Sequence, residues 1–243
     1  MSKQLALGLT LPESTGLESY LPASNQQAVS DLAACAGGTG EPFIYLWGAP
    51  QTGKSHLLQA ATQLADQAGR SALYIPLDQA TQLSPAIFDD LEQLDLICLD
   101  VVEGIAGNAD WEQALFGLFN RLREREKSLL VAARCSPLNL PIRLPDLVSR
   151  LSWGLCYQLQ PLNDQDKIQA LTVVAARRGL PLSDETARYI LRHTQRDMGS
   201  LRRLLKRLDQ ASLEAKRGLT IPFIKAFLEQ HRSLDEAAIP PTG

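Results

Sequence analysis

Residues 43–58 read FIYLWGAPQTGKSHLL, and this stretch decides the fold of the chain. The apolar run Phe43–Trp47 predicts a buried strand, and a helical pattern begins at His56. Between them, Gly48–Ser55 spells G-x-x-x-x-G-K-S, the pattern of a phosphate-binding loop that joins a strand to a helix. A chance match is the alternative, but the required strand precedes the motif and the required helix follows it. The stretch therefore predicts a nucleotide-binding loop.

The chemistry of phosphate binding explains the residue types in this loop. Gly48 and Gly53 allow the backbone to bend so that successive N–H groups point at phosphate oxygens. A helix that begins near Lys54 adds its positive N-terminal end. We expect Lys54 to reach the β- and γ-phosphates and the Ser55 hydroxyl to hold Mg²⁺. The predicted ligands are a nucleoside di- or triphosphate, with ADP favoured, and Mg²⁺, and the predicted binding residues are Gly48, Ala49, Pro50, Gln51, Thr52, Gly53, Lys54, Ser55 and His56.

Composition is that of an ordinary globular protein. The 243 residues are 45% hydrophobic and 21% charged, and the net charge of −3 creates no overall field that would recruit nucleic acid or a membrane. The charge is unevenly distributed, however. Residues 1–159 hold 10 Lys and Arg against 17 Asp and Glu, whereas residues 160–230 hold 13 against 8. The split predicts an acidic first domain and a basic second one.

Cysteine usage and the N-terminus indicate a cytoplasmic protein. The four cysteines are scattered without a C-x-x-C pair, so neither a disulfide nor a zinc site is expected, and a reducing compartment fits. The N-terminus lacks a charged-then-apolar signal pattern, and no apolar run approaches 18 residues. We therefore expect no membrane association.

Strand and helix patterns alternate over residues 43–160. Five apolar segments have the length of strands, and these are Phe43–Trp47, Ser71–Leu77, Leu94–Asp100, Ser128–Ala133 and Cys156–Leu159. Helical patterns fall at Ser24–Ala36, Pro85–Leu91 and Asp110–Lys127, with Asp110 as the predicted cap of the last. Such alternation predicts an α/β fold with a parallel sheet and helices on both faces. Ligands of these sheets bind beyond the carboxyl ends of the strands.

The pattern changes at Pro161, after which only helices are predicted. The four helical segments are Asp164–Arg178, Ser183–His193, Ser200–Lys216 and Ile221–Gln230. We therefore divide the chain into a tail at 1–23, a nucleotide-binding α/β domain at 24–160, a small all-helical domain at 161–232 and a disordered tail at 233–243.

Asp100 is the second candidate for the nucleotide site. It ends an apolar strand, which suits the acidic residue that holds Mg²⁺ through water or the Ser55 hydroxyl in phosphate-loop proteins. A surface carboxylate at a strand end is the alternative.

The N-terminal tail holds a candidate partner-binding segment. Gln4 precedes Leu5, Leu7 and Leu9, so an extended peptide could place the three leucines in a hydrophobic groove while Gln4 bonds at the rim. An edge strand or a merely apolar tail would have the same spacing.

Several strings together resemble a known family. Gly48–Ser55, Leu96–Asp100 and the helical domain resemble an AAA+ nucleotide-binding module, whose helical domain is called the lid. More narrowly, the strings at 4–9, 100–107 (DVVEGIAG), 144–154 (LPDLVSRLSWG) and 219–225 (LTIPFIK) are similar to the DnaA-related regulators of replication initiation that work with the DNA sliding clamp. The likeness covers residues 4–230, and the later strings are far more specific than the phosphate loop.

The resemblance implies roles for three parts of the chain. It implies that Gln4, Leu5, Leu7 and Leu9 dock on the sliding clamp. It places Arg150 at the family's arginine-finger position, where a guanidinium from one protein neutralises charge on the γ-phosphoryl group held by its neighbour, worth about 10³–10⁵ in rate. A surface or salt-bridged arginine is the alternative. Finally, Arg202 matches the lid arginine that senses the γ-phosphate, although another register puts Gly199 there.

Two departures from the family pattern predict weak hydrolysis. Val101 stands where an active enzyme carries a second carboxylate, with Glu103 two residues further on, and Ala132-Ala133-Arg134 replaces the usual polar residue at the end of the fourth strand. The resemblance then implies an adaptor that promotes ATP hydrolysis on DnaA and represses re-initiation, with a homodimer among its expected assemblies. An independent ATP-driven remodeller or helicase loader on single-stranded DNA is the alternative, and a nucleotide-dependent scaffold is a third.

The basic helix face at Arg202, Arg203, Lys206 and Arg207 has two interpretations. DNA binding is one, and a solvated face or a contact with an acidic partner is the other. The charges are few and no aromatic residues lie among them for stacking, and the chain ends without a separate helix-turn-helix domain. We expect no direct sequence-specific DNA binding.

Overall fold

The structure, a computed structural model, describes residues 16–215 and 217–236, without the side chains of Gln79, Thr81 and residues 231–236. The chain divides into two compact units, with the division between Pro161 and Leu162. Gln4, Leu5, Leu7 and Leu9 lie outside the described residues, and so does the tail from residue 237 onward.

The first unit is built on a parallel sheet of five strands. These are β1 (Phe43–Trp47), β2 (Ala72–Pro76), β3 (Leu96–Asp100), β4 (Ser128–Ala133) and β5 (Leu155–Gln158). Their order across the sheet is β2-β3-β4-β1-β5, and every pairing is parallel. The predicted α/β fold is confirmed, and the carboxyl ends of all five strands lie along one edge.

Four α-helices complete the described part of the first unit, residues 16–161. They are α1 (Gln26–Ala36), α2 (Lys54–Gln67), α3 (Ala109–Glu124) and α4 (Pro145–Leu151). Short 3₁₀ turns connect the elements at Leu17–Ser19, Ala23–Asn25, Leu77–Gln82, Pro85–Phe88, Leu91–Gln93, Val102–Gly104 and Pro137–Asn139.

Alternation along the central strand gives each face of the sheet its own core. Phe43 and Tyr45 of β1 pack on one face against α3 and α4, while Ile44 and Leu46 pack on the other against α1 and α2. All four side chains are buried. Since successive side chains of a strand point to opposite faces, a continuous apolar run is what a sheet covered on both faces requires.

Three local predictions were wrong. Asn108, rather than Asp110, caps α3, because its side chain accepts hydrogen bonds from the backbone N–H groups of Asp110 and Trp111. The brief helix expected at Pro85–Leu91 is only the 3₁₀ turn Pro85–Phe88, which Ser84 caps. Helix α4 was not expected at all: it has only seven residues, too few to display helical periodicity.

The second unit contains four helices in its described part. They are α5 (Asp164–Arg177), α6 (Asp184–His193), α7 (Met198–Ala215) and α8 (Ile221–Glu236). Asn163 and Asp166 form a capping box at the start of α5, and Ser183 caps α6. The helices enclose a leucine-rich core of their own. This confirms the predicted all-helical C-terminal domain. Among residues 16–236, no helix is long and apolar enough to cross a membrane.

Candidate functional site

The phosphate-binding loop has a backbone that needs its two glycines. Gly48 has φ +153° and Gly53 has φ +92°, and both angles lie in the region that side chains disfavour. A Cβ on Gly48 would also lie 2.7 Å from the carbonyl oxygen of Leu159, so the loop passes close to the end of β5. Helix α2 then begins at Lys54. The predicted strand–loop–helix arrangement is present.

The side chain of Lys54 folds back onto the phosphate-binding loop. Its Nζ donates to the carbonyl oxygens of Gly48 and Ala49, both at 2.8 Å. Burial lowers the pKa of the Lys54 ammonium, while the nearby carboxylates of Asp100 and Glu103 oppose that shift. The Lys54 ammonium is thus placed where anionic oxygens could replace the two carbonyls.

Tyr20, which lies before helix α1, packs against the phosphate-binding loop. The Tyr20 hydroxyl donates to the Thr52 carbonyl oxygen at 3.1 Å, and the Tyr20 ring stacks on His56 with the ring centres 6.0 Å apart. A Cβ on Gly53 would meet the same ring at 2.6 Å. Burial raises the pKa of the Tyr20 phenol. The sequence predicts only a tail at this segment and gives no sign of Tyr20, because no motif marks a tyrosine that contacts a residue 32 positions away.

Asp100 is buried, and both of its carboxylate oxygens have partners. The Tyr74 hydroxyl donates to one oxygen at 2.7 Å, and the backbone N–H of Val101 donates to the other at 2.9 Å. The side chain is 3% exposed, so the alternative of a surface carboxylate is wrong. Burial, followed by the Asp100 charge, raises the pKa of the Tyr74 phenol, which therefore stays protonated and keeps donating.

Val101 adopts a backbone conformation that is costly for a β-branched residue. Its φ of +56° and ψ of +50° are left-handed, where Gly and Asn are normally found. The turn Val102–Gly104 follows, and it carries Glu103 to Arg134 at the end of β4, with Nε and Oε1 3.2 Å apart. Glu103, two residues after Val101, and Arg134, which stands where the family usually has a polar residue, thus form an ion pair at the carboxyl edge of the sheet.

The donors at this edge suit a magnesium ion that arrives with a nucleotide. Among the described residues, no group of three or more His, Cys, Asp or Glu side chains could hold a metal by itself. Mg²⁺ usually takes one or two protein oxygens and completes its shell with phosphates and water. Ser55 in the first turn of α2 and Asp100 would be those protein ligands.

Arg150 lies at the other edge of the sheet. It is the next-to-last residue of α4, and the following Trp153 stacks on Phe43, the first residue of β1. Gly154, with φ +83°, allows this approach, because a Cβ there would collide with the Phe43 carbonyl oxygen. The phosphate loop starts after the last residue of β1, so the length of the strand, about 16 Å, separates the two places.

Arg150 has no anionic partner within the described part of the chain. Its Nε is buried without a hydrogen-bond acceptor, and none of the ion pairs among these residues includes it. Its guanidinium carbon lies 6.0 Å from the centre of the Trp153 ring, and that of Arg123 lies 4.2 Å from it. The salt-bridged alternative for Arg150 does not hold among the side chains that the structure describes.

Arg202 belongs to the second unit. It lies in α7, half-buried, and burial lowers the pKa of its guanidinium. Gly199, the residue of the alternative register, is in the same helix. Of the other basic residues, Arg203 donates to the Ser200 hydroxyl at 2.8 Å and Arg207 lies over the Phe227 ring at 5.6 Å. The role of Arg202 toward a phosphate stays a prediction.

Two family models match the chain, one on each unit. The bacterial DnaA ATPase domain matches residues 15–158, more than half of the chain, and the Hda lid domain matches residues 164–228. An uncharacterized protein of Haemophilus influenzae is 42% identical over 231 residues, which cover 94% of this chain and 99% of that protein. The family resemblance proposed from the sequence is confirmed.

Solved structures agree on the fold. Domain III of the Thermotoga maritima replication initiation protein DnaA matches with a TM-score of 0.77 and 19% identity, over 91% of this chain and 98% of that one. DnaA of Aquifex aeolicus bound to AMPPCP matches with a TM-score of 0.69 and 23% identity, over 82% of this chain and 66% of that one. On the family models and the curated relative together, the chain belongs to the DnaA-related AAA+ family and carries a lid of the Hda type.

Proposed function

We propose that the chain is a nucleotide-binding adaptor that promotes ATP hydrolysis on DnaA while it is held at the DNA-loaded sliding clamp, and so represses re-initiation of replication. The observation that carries this proposal is Arg150, a guanidinium with no anionic partner in the described chain, at the sheet edge opposite the phosphate loop. An arginine about 16 Å from its own nucleotide site is placed to act on a neighbour.

The guanidinium suits this task for a chemical reason. Its planar fork of donors matches two phosphoryl oxygens at once and stays charged at every physiological pH. In phosphoryl transfer, charge spreads over the γ-phosphoryl oxygens, and a finger arginine stabilises it there. Arg150 would supply that charge, and DnaA would hold the ATP.

The chain's own nucleotide then serves mainly as a ligand. The loop Gly48–Ser55 would bind a di- or triphosphate, with ADP favoured, and Mg²⁺ would be held at Ser55 and Asp100, with Arg202 of the lid reaching the phosphate. Hydrolysis would be weak, because Val101 supplies no carboxylate and both oxygens of Asp100 already accept hydrogen bonds. Bound nucleotide supplies charge and contacts that could order the lid.

The tethering step rests on Gln4, Leu5, Leu7 and Leu9, which would dock on the clamp in the cytoplasm. Leu9 and the first described turn at Leu17 are eight residues apart, a span of at most about 28 Å. A docked tail would therefore keep the adaptor close to the clamp and to any DnaA on the same DNA. The free chain could also pair with a second copy of itself.

The test is Arg150→Ala, measured as ATP hydrolysis by DnaA in the presence of clamp-loaded DNA. The variant should lose the stimulation by about 10³-fold or more, since finger arginines contribute that much. Its own nucleotide affinity should not change. Arg143→Ala removes an exposed arginine from the segment before α4 and is the matched control. Survival of the stimulation in Arg150→Ala would remove Arg150 from the mechanism.

A second function has one observation in its favour. The ion pair between Glu103 and Arg134 puts a carboxylate and a guanidinium beside the phosphate loop, in the field of Lys54. An independent ATP-driven remodeller would use such groups for its own hydrolysis. Vigorous ATP turnover by the isolated chain with single-stranded DNA, lost in Glu103→Gln, would favour this function over the adaptor.

A further inference from the structure

Trp153 is a large aromatic side chain that remains 46% exposed although several groups hold it in place. Its ring stacks on Phe43 with the ring centres 6.0 Å apart and the planes 16° apart, and it contacts Phe119 at 6.1 Å. Both phenylalanines are buried in the core of the sheet face that α3 and α4 cover. The indole is therefore fixed by the core on one side and open to solvent on another.

Two guanidinium groups share this ring. Arg123 of α3 takes the near position, 4.2 Å from the ring centre, and Arg150 of α4 lies at 6.0 Å. Both distances are within the range in which a cation is attracted to the electrons of an aromatic ring. The two cations repel each other, so Arg150 is held by the ring but kept away from Arg123.

Among the described residues, no ion pair and no acceptor for its Nε hold the Arg150 side chain in place. Its Nε lies buried without an acceptor, and no carboxylate of the described chain pairs with it. A free arginine side chain loses rotamer entropy when it is fixed on a partner. A ring that already limits the positions of the guanidinium reduces that loss, which is what preorganisation means for a catalytic group.

We propose that Trp153 is a positioning residue for Arg150: the indole, anchored on Phe43 and Phe119, restricts the guanidinium to the positions from which it reaches a partner's nucleotide. This proposal rests on the proposed function for the identity of the partner, but the restriction of Arg150 by the ring is a property of the chain alone.

The first experiment measures the contact without any partner. The chain has three tryptophans, so the emission of Trp153 is isolated by subtracting the spectrum of Trp153→Phe from that of the wild type. The same subtraction is made in the Arg150→Ala background. Loss of the cation should shift the Trp153 emission and increase its quenching by acrylamide, whereas Arg150→Lys should behave nearly as the wild type. Identical Trp153 emission and quenching in Arg150→Ala would overturn the proposal.

The second experiment measures the consequence for DnaA. Trp153→Leu should lower the maximal stimulation of ATP hydrolysis about two- to five-fold, the equivalent of one exposed cation–π contact, while the chain concentration at half-maximal stimulation stays the same. Trp153→Phe keeps an aromatic face and should restore most of the stimulation. A change confined to the half-maximal concentration would make Trp153 a docking residue and contradict the positioning role. If the wild-type chain gives no stimulation, the proposed function fails, and the emission experiment still decides whether Trp153 restricts Arg150.

Discussion

The phosphate loop and the end of α4 hold their cations, Lys54 and Arg150, in opposite ways. At the carboxyl edge, Lys54 donates to two loop carbonyls and Asp100 accepts from Tyr74 and Val101, whereas Glu103 lies in an ion pair with Arg134 without accepting a hydrogen bond. At the amino edge of β1, Arg150 bonds to none of the described anions, and the Trp153 side chain is about half exposed to solvent. Lys54 is already surrounded by oxygen atoms of its own loop, whereas the Arg150 guanidinium pairs with none of the described anions.

Lys54→Met offers the largest test of this comparison. Loss of a charge-assisted contact to phosphate costs about 1.5–3 kcal/mol, so the affinity for ADP or ATP should fall about 10- to 150-fold. Isothermal titration calorimetry measures it directly. Trp153 emission should not change, because that ring lies at the opposite end of β1.

Lys127→Met is the matched control for Lys54→Met. Lys127 is also a half-buried lysine, but it pairs with Asp95 at 2.8 Å just before the amino end of β4. Its nucleotide affinity should equal that of the wild type. A Lys54→Met protein that still bound nucleotide at full strength would mean that the carboxyl edge is not the ligand site.

Val101→Asn tests whether the carboxyl edge is strained. Left-handed backbone at a residue other than glycine costs of order 1–3 kcal/mol, and Asn tolerates it better than a β-branched residue. We expect a gain of about 1 kcal/mol in the free energy of unfolding, or about 2–4 °C in Tm. Urea unfolding and calorimetry measure both quantities.

Val102→Asn is the control for this substitution, since Val102 is fully buried and lies outside the left-handed region. That variant should be destabilised by about 1–3 kcal/mol, because it buries an amide without a partner. A Val101→Asn protein no more stable than the wild type would show that the valine side chain compensates for its backbone.

Asp95→Asn changes an ion pair at the amino edge of the sheet and should have the smallest effect on stability of the variants considered. Lys127, followed by Ser71, holds the pKa of the Asp95 carboxyl well below its usual range. A lowered folded pKa contributes stability that is complete above the unfolded pKa of about 3.9 and is lost as pH falls through the folded value. The variant should therefore lose up to about 1 kcal/mol at pH 7, less in high salt, and its unfolding below pH 4 should depend less on pH. An acid-unfolding profile unchanged from the wild type would argue against a native ion pair.

The sequence predicted the features that depend on local spacing. The strand, loop and helix at 43–58 are confirmed because their pattern is complete within 16 residues, and the division into a sheet and a helical lid follows from periodicity over the whole chain. The role of Arg150 could not be decided from the sequence, because an arginine finger and a salt-bridged surface arginine can have the same neighbouring residues.

What the sequence could not predict depends on contacts between distant segments. Tyr20 reaches Thr52, and Glu103 reaches Arg134, and neither pair has a spacing rule. The cap of α3 was misassigned because Asn108 and Asp110 are both good capping residues and only the backbone path separates them. The position of Trp153 depends on its stacking against Phe43, 110 positions away, and on the left-handed backbone of Gly154, which follows it.

Position 154 should tolerate no residue other than glycine. Gly154 has no side chain to contribute to chemistry, yet any larger residue would press on the Phe43 carbonyl and move the neighbouring indole. Its φ of +83° adds a backbone cost for every other amino acid. A screen of random variants for loss of the proposed stimulation of DnaA would therefore recover substitutions at position 154 among its folded but inactive proteins, and a list of polar residues alone would never have nominated that position.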